Sequence, residues 1–213
     1  PLFTKESTLA QNYNFITGSM SVEVNGKDLT IQQASKLMEE QDRSLRESVF
    51  RKIADRKLKD ASNLDNLFTQ LAEVREQIAS NAGFTNYRDY KHAALGRFDY
   101  SVNDCYLFHD AIKKEILPIS REMAESRKKA LGTDSLKPWD MEVDLTGMPP
   151  LTPFTGSREL ISKTINCFNT IDPYFAECIS VMKEIKHLDL ESRKGKAPGG
   201  YNYPLAETGI PFI

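Results

Sequence analysis

Residues 31–83 read IQQASKLMEEQDRSLRESVFRKIADRKLKDASNLDNLFTQLAEVREQIASNAG, and their apolar spacing decides the fold class. Ala34, Leu37, Met38, Leu45, Val49, Phe50 and Ile53 recur at three- and four-residue steps, with Glu39, Glu40, Arg43, Arg46, Arg51 and Lys52 between them. That spacing is one face of an α-helix. It predicts a long amphipathic helix from Ile31, capped by Thr30, to about Lys59. Leu64, Leu67, Phe68, Leu71, Val74 and Ile78 predict a second helix from near Asn63, with Gly83 where a terminal glycine takes the left-handed conformation. The short Ser62-Asn63 link makes the two expected antiparallel neighbours. The fold is therefore mainly α.

Outward from this pair, residues 1–20 show no clear period and are expected to be an irregular or docking segment. Val22-Glu23-Val24 and Lys27-Asp28-Leu29 flank Asn25-Gly26, a pair that tolerates the positive φ of a type I′ turn, so a small β hairpin follows. Downstream, Phe84 to Arg97 predicts a short helix ended by Gly96. Ser101 with Asp104 resembles a capping box before a helix that runs to Gly132, and Pro118 inside that helix predicts a kink or break. Residues 133–156 are a Pro-rich connection, in which Trp139 to Leu145 alternates polar and apolar and predicts one short strand with an acidic outer face. Ser157 caps the next helix, and Asp172-Pro173 reads as an N-cap with proline at N1, a break and restart. The chain thus divides into 1–29, an irregular segment plus hairpin; 30–132, helical; 133–156, connecting; 157–188, helical; and 189–213, an extended Gly-rich tail, all one helical portion.

Composition bounds what such a chain does. It has 213 residues, 40% hydrophobic and 27% charged, with a formal net charge of −2. Near-balanced charge supplies no field to recruit nucleic acid or an anionic membrane. No window is apolar enough for a membrane helix, and no secretory leader opens the chain. The 3 cysteines, Cys105, Cys167 and Cys178, have no C-x-x-C spacing and fall on apolar stripes, which reads as small core residues rather than disulfides or a zinc ribbon. A cytoplasmic location is the default.

Side chains that carry chemistry are few. Asp89-x-x-His92 and Glu184-x-x-His187 each place a carboxylate and an imidazole one helical turn apart, as in dinuclear carboxylate sites of bundles, but only one has Glu and the further carboxylates are not identifiable. Asp140, Glu142 and Asp144 imitate a calcium loop, yet Leu145 and Leu151 stand where glycine and glutamate are needed. His109, beside Leu107 and Phe108, reads as a partly buried, hydrogen-bonded side chain. Nothing singles out a Ser/His/Asp or Cys/His triad.

The tail, ESRKGKAPGGYNYPLAETGIPFI (191–213), combines unusual features. Gly195, Gly199 and Gly200 allow close approach by a ligand or another backbone, and Arg193, Lys194 and Lys196 can meet a carboxylate. Alternation from Tyr201 to Ala206 fits an extended segment, which Pro204 confines to a sheet edge, where an extended peptide can add as a strand. A basic surface loop is the bland alternative.

Asp189 to Tyr201, with Gly209 to Ile213 after it, resembles the segment that precedes the HExxH helix in oligoendopeptidase F-like zinc metallopeptidases, the thimet-oligopeptidase superfamily. Asp42 to Arg46, Arg97 to Tyr100, Leu136 to Asp140 and Ile171 to Pro173 agree with the same family in the same order. The resemblance implies long antiparallel helices of an elongated zincin-type fold around a channel for short peptides. It also implies that Gly199, Gly200, Tyr201 and Tyr203 shape the peptide site as part of a small sheet. One motif is absent: no H-E-x-x-H occurs, and none of the 3 histidines has another four residues away. Two such histidines would bind zinc, with the glutamate as general base. The expectation is therefore the upstream part of a zinc-dependent endopeptidase, cut before its catalytic centre, with no catalytic or metal-binding residue of its own. Alone it is expected to bind no zinc and cleave nothing; its partners are short peptides and the C-terminal catalytic portion. The alternative is a non-catalytic helical peptide-binding module, and a helical dinuclear-metal protein is a weaker third.

Overall fold

The computed structural model describes residues 1–213 and is mainly helical. It opens, against the sequence expectation of an irregular segment, on a helix: α1 spans Leu2–Gly18. Phe3, Tyr13 and Phe15 are exposed and hide its period. The stripe that matters is Leu2, Leu9 and Ile16, all three packed with the cluster of Leu67, Val74 and Ile78. Seven-residue spacing was the legible signal.

The hairpin forms as its turn dictates. β1 (Ser21–Val24) pairs antiparallel with β2 (Lys27–Thr30), Val22 opposite Leu29, and Asn25 and Gly26 both take positive φ, 52° and 74°. The buried face of the hairpin places Met20, Val22 and Val24 against Ile31, Ala34, Val49 and Ile53. Thr30 ends β2 and caps α2 (Ile31–Lys36) in a reciprocal capping box with Gln33.

The long helix expected from Ile31 to Lys59 is broken. A 3-10 turn, Leu37–Glu39, follows α2, and α3 (Arg43–Leu58) starts afresh with Asp42 as its cap, accepting from the Ser44 and Leu45 amides. Helical periodicity continues across the break because both halves bury one face. What separates them is Arg46: its Nη1 donates to the carbonyls of Glu40 and Gln41 at 2.9 Å each, groups that a continuous helix would have bonded internally.

α4 (Ala61–Asn81) closes in a Schellman arrangement, Phe84 N–H to Ala79 O and Gly83 N–H to Ser80 O, with Gly83 at φ 80°. Its main packing partner is α1 rather than the expected α3. Glu6 ties the two, accepting from Arg75 Nε at 2.8 Å and from Tyr87 Oη at 3.2 Å. Tyr87 opens α5 (Tyr87–Ala94), which Gly96 follows at φ 67°.

The kink expected at Pro118 is a π turn. α6 (Val102–Ala111), capped by Ser101 and Asp104, passes through Ile112–Ile116 into α7 (Leu117–Ala130). Leu117 N–H bonds Ile112 O, five residues back, which widens the helix just before the proline that cannot donate.

No strand forms at Trp139–Leu145. Pro138–Asp140 is a 3-10 turn, and Asp140 points inward, fully buried, to meet Arg43 and Arg46. A carboxylate expected on an acidic outer face is instead the anion of an internal ion pair. α8 (Gly156–Ile171) begins one residue before the predicted Ser157 cap, with Thr155 at its N-cap and no side-chain capping bond. Asp172 caps α9 (Pro173–Glu184) from the Tyr174 amide, as the Asp-Pro pair predicts. α8 and α9 pack on each other. No helix is long and apolar enough to cross a membrane.

Candidate functional site

Two residues past the end of α9, Lys186 stands in the left-handed region, φ 60°, and the next N–H, that of His187, reaches Met182 O at 2.8 Å. A non-glycine residue there costs about 1 kcal/mol or more. The conformation turns the chain sharply so that His187 starts the tail's framework. Ile213 N–H bonds His187 O at 2.9 Å, and Asp189 N–H bonds Ile213 O at 2.7 Å. The last residues therefore fold back along 187–189. β4 (Pro211–Phe212) then pairs antiparallel with β3 (Tyr203–Pro204), Tyr203 opposite Phe212. His187 lies half-buried under this pair, its Nδ1 3.2 Å from Pro211 O and its ring 5.8 Å from that of Phe212.

The basic cluster is spent inside the chain. Arg193 forms a two-pronged pair with Asp189, Nη1 to Oδ1 at 2.6 Å and Nη2 to Oδ2 at 2.8 Å. Lys196 Nζ sits 3.4 Å from the same carboxylate and donates to Asp189 O and, at 3.2 Å, to Glu191 O. Arg193 first, then Lys196, holds the Asp189 carboxyl down to about 2. Lys194 reaches Asp28 on β2 at 3.7 Å. Glu191 accepts from the Ser157 amide at 3.2 Å, which ties the tail to the start of α8.

This framework leaves the Gly199–Asn202 reach open. The backbone groups of Gly199, Gly200, Tyr201 and Asn202 form no hydrogen bond within the chain. Gly199, Gly200 and Tyr201 border a cleft of about 540 Å³ whose walls also include Asn14, Lys196, Pro198 and Phe212. The Tyr201 ring stacks on Phe212 at 6.4 Å and is 62% exposed. A Cβ added at Gly199 or Gly200 would meet nothing within 4 Å. Gly199 stands at φ 100°, which a side chain would oppose, whereas Gly200 carries no such restriction. Chemically, this is a stretch of unpaired backbone beside an aromatic wall, suited to pairing with an extended chain. Of the four sequence-derived residues, Gly199, Gly200 and Tyr201 share this cleft. Tyr203 is exposed on β3 and outside its lining. Sequence reasoning missed Asn14, which arrives from the unforeseen α1.

The other sequence candidates disperse. Asp89 is held by Arg88, then by Asn86, and these keep its carboxyl below the usual range. His92 packs edge-on to Tyr100 at 5.3 Å. His109 is exposed rather than partly buried, edge-on to Tyr106 at 6.3 Å. Asp144 caps its own loop through the Thr146 and Met148 amides. The cysteines are not core residues: Cys167 is exposed, and Cys105 and Cys178 are half-buried. No group of three or more His, Cys, Asp or Glu side chains gathers to hold a metal ion.

The sequence model of peptidase family M3 matches residues 36–211. Among solved structures, PZ peptidase A with inhibitor 2 superposes at a TM-score of 0.90 with 28% identity, over 98% of this chain and 37% of its own. A protein described as oligoendopeptidase F superposes at 0.90 with 27% identity, over 98% and 37%. One so described from Bacillus anthracis strain Ames also reaches 0.90, at 23% identity over 97% and 38%, a likeness of fold alone. This chain thus spans less than two fifths of the length of these relatives. No curated protein matches it.

Proposed function

This chain belongs to peptidase family M3, and from that premise we propose that it is the peptide-facing portion of a zinc-dependent oligoendopeptidase acting on short peptides. The observation that carries the reading is the Gly199–Asn202 reach, whose backbone is unpaired and whose first three residues border a cleft. Its N–H and C=O groups hold a peptide in extended form by main-chain hydrogen bonds, largely indifferent to sequence. Tyr201, backed by Phe212, supplies an apolar wall beside the peptide. The open space at Gly200 lets the two backbones approach.

Zinc does not fit the residues of this chain. Its 3 histidines lie on α5, on α6 and just after α9, and no ligand set converges. On the proposed reading, the metal ligands and the general base come from sequence outside residues 1–213. The apolar side chains exposed along α6, the π turn and α7, Leu107, Phe108, Ile116, Ile119 and Met123, support the same reading, because a strip of this kind is normally covered by other protein.

The test uses the full-length protein and a pool of oligopeptides read by mass spectrometry. Cleavage is expected, abolished by dialysis against a chelator and restored by zinc. Cleavage that survives complete metal removal overturns the zinc assignment, and a pool left intact by the zinc-loaded protein overturns the peptidase reading.

A further inference from the structure

The tail's own glycines face open space, and the tightest backbone approach beneath them is made by a glycine from the opposite end of the chain. Gly18, the last residue of α1, is buried, and its carbonyl accepts the Gly195 N–H at 2.7 Å. A Cβ built on Gly18 would lie 2.8 Å from the Lys196 carbonyl oxygen, 3.0 Å from its carbon and 3.3 Å from the Ala197 nitrogen. These are backbone atoms, so no rotamer change relieves the overlap. Gly18 does not have the positive φ that would call for glycine on its own account; its neighbour imposes the requirement. Asn14, one turn earlier on α1, lines the cleft.

The elements that follow α1 complete the seat. Thr30 Oγ1 and Ser192 Oγ are 3.0 Å apart, and Gln33 Nε2 donates to Ser192 O at 3.3 Å. The reach from Ser192 to Ala197 thus rests on the end of α1 and the cap of α2. Pro198, with its fixed φ, carries whatever position this seat sets into Gly199.

We infer that Gly18 is a positioning residue for the peptide site: by admitting the Lys196–Ala197 backbone against α1, it sets where the unpaired Gly199–Tyr201 groups stand over the cleft. The inference rests on the proposed peptide site. An alanine at Gly18 must lift Lys196 and Ala197 off the helix by several tenths of an ångström and lengthen the Gly195 bond. Since a misplacement of about 1 Å costs on the order of 100-fold in an aligned site, Gly18→Ala is expected to cost about tenfold.

The experiment uses the full-length protein and, as probe, the acetylated and amidated hexapeptide it cleaves best, with the scissile amide reduced to CH2–NH. In the native protein the probe is expected to slow amide hydrogen exchange across residues 199–202. In Gly18→Ala the probe Kd rises about tenfold and that slowing is lost in a protein that stays folded, its thermal midpoint lower by about 2–12 °C for the strain. A merely structural role would lower the midpoint and leave the protection pattern in place. Ser192→Ala removes one hydroxyl of the seat and is expected to raise the Kd about threefold. It decides the matter if Gly18→Ala does not fold. Native Kd and native protection in the folded variants overturn the positioning role alone. No slowing at 199–202 in the native protein overturns the peptide site itself, and the inference with it.

Discussion

Replacing Asp140 tests the one buried charge cluster, which fastens the Pro-rich connection to α3. Asp140 is 0% exposed and Arg46 2%. Arg43 grips the carboxylate with Nε at 2.9 Å and Nη2 at 2.8 Å; Arg46 Nη2 donates to it at 3.2 Å, and the Lys137 N–H donates to it at 3.0 Å. Arg46 also donates to Trp139 O at 2.8 Å. Asp140→Ala leaves the Arg46 guanidinium buried without its anion, a change that costs about 3–5 kcal/mol. For a domain of this size that corresponds to a fall of about 6–20 °C in Tm. Asp140→Asn keeps one acceptor and the volume, and about 1–3 kcal/mol is expected.

The assay is urea unfolding followed by the fluorescence of Trp139, the sole tryptophan. Trp139 is well placed as a reporter: its ring packs 5.5 Å from Phe50 and lies beneath Arg51 at 5.2 Å. Arg43, then the Lys137 amide and Arg46, hold the Asp140 carboxyl below the usual carboxylate range against the opposing effect of burial. Because the folded value is the depressed one, the stabilisation is complete above the unfolded value of about 3.9 and is lost as pH falls through the folded value. The gap between native protein and Asp140→Asn should therefore be constant from neutral pH to about 4 and narrow below it. An Asp140→Ala variant within about 1 kcal/mol of native, with an unchanged denaturant slope, would refute the reasoning.

The remaining predictions concern the tail. A Cβ at Gly200 meets no atom within 4 Å and the position needs no forbidden φ, so full-length Gly200→Val should fold with a native thermal midpoint yet lose on the order of tenfold or more in kcat/KM for peptides. Unchanged specificity constants would remove Gly200 from the peptide site. The Asp189 carboxyl, paired with Arg193 and Lys196, should titrate at about 2 by carbon-detected NMR. Its contribution to holding the tail is present above the unfolded value of about 3.9 and lost as pH falls through about 2. A midpoint at the ordinary aspartate value would show that the pair is not formed.

Much of the local structure was legible because its causes lie within a few residues. Asn25-Gly26 dictates the hairpin turn, Asp172-Pro173 a helix start, Gly83 and Gly96 helix ends, and Pro118 a disturbance next to itself. Each is a matter of φ preference or of a side chain reaching an amide two or three residues away. The tail was legible as glycine-rich, but it runs through turns and bends with strand only at Tyr203–Pro204 and Pro211–Phe212; Gly199, Gly200 and Tyr201 border one cleft. What failed were expectations whose outcome depends on a distant partner. Helical spacing ran unbroken from Ile31 to Ile53, but Arg46 and Asp42 divide it. Alternation at Trp139–Leu145 suggested an outward acidic strand, but two arginines nearly a hundred positions earlier draw Asp140 inward.

The sequence by itself therefore determined the helical class, most element boundaries and the open, glycine-bearing tail, because periodicity, capping and φ restriction act over one or two turns. Only the tertiary structure decided that residues 2–18 are a helix seated on α4, that Asp140 is an internal anion, and that the tail doubles back so that Phe212 supports Tyr201. It also moved the critical glycine contact from the tail to Gly18. A glycine's need for space is set by the atom opposite it. Here that atom is the carbonyl oxygen of Lys196, at the far end of the chain, where no local pattern reports it.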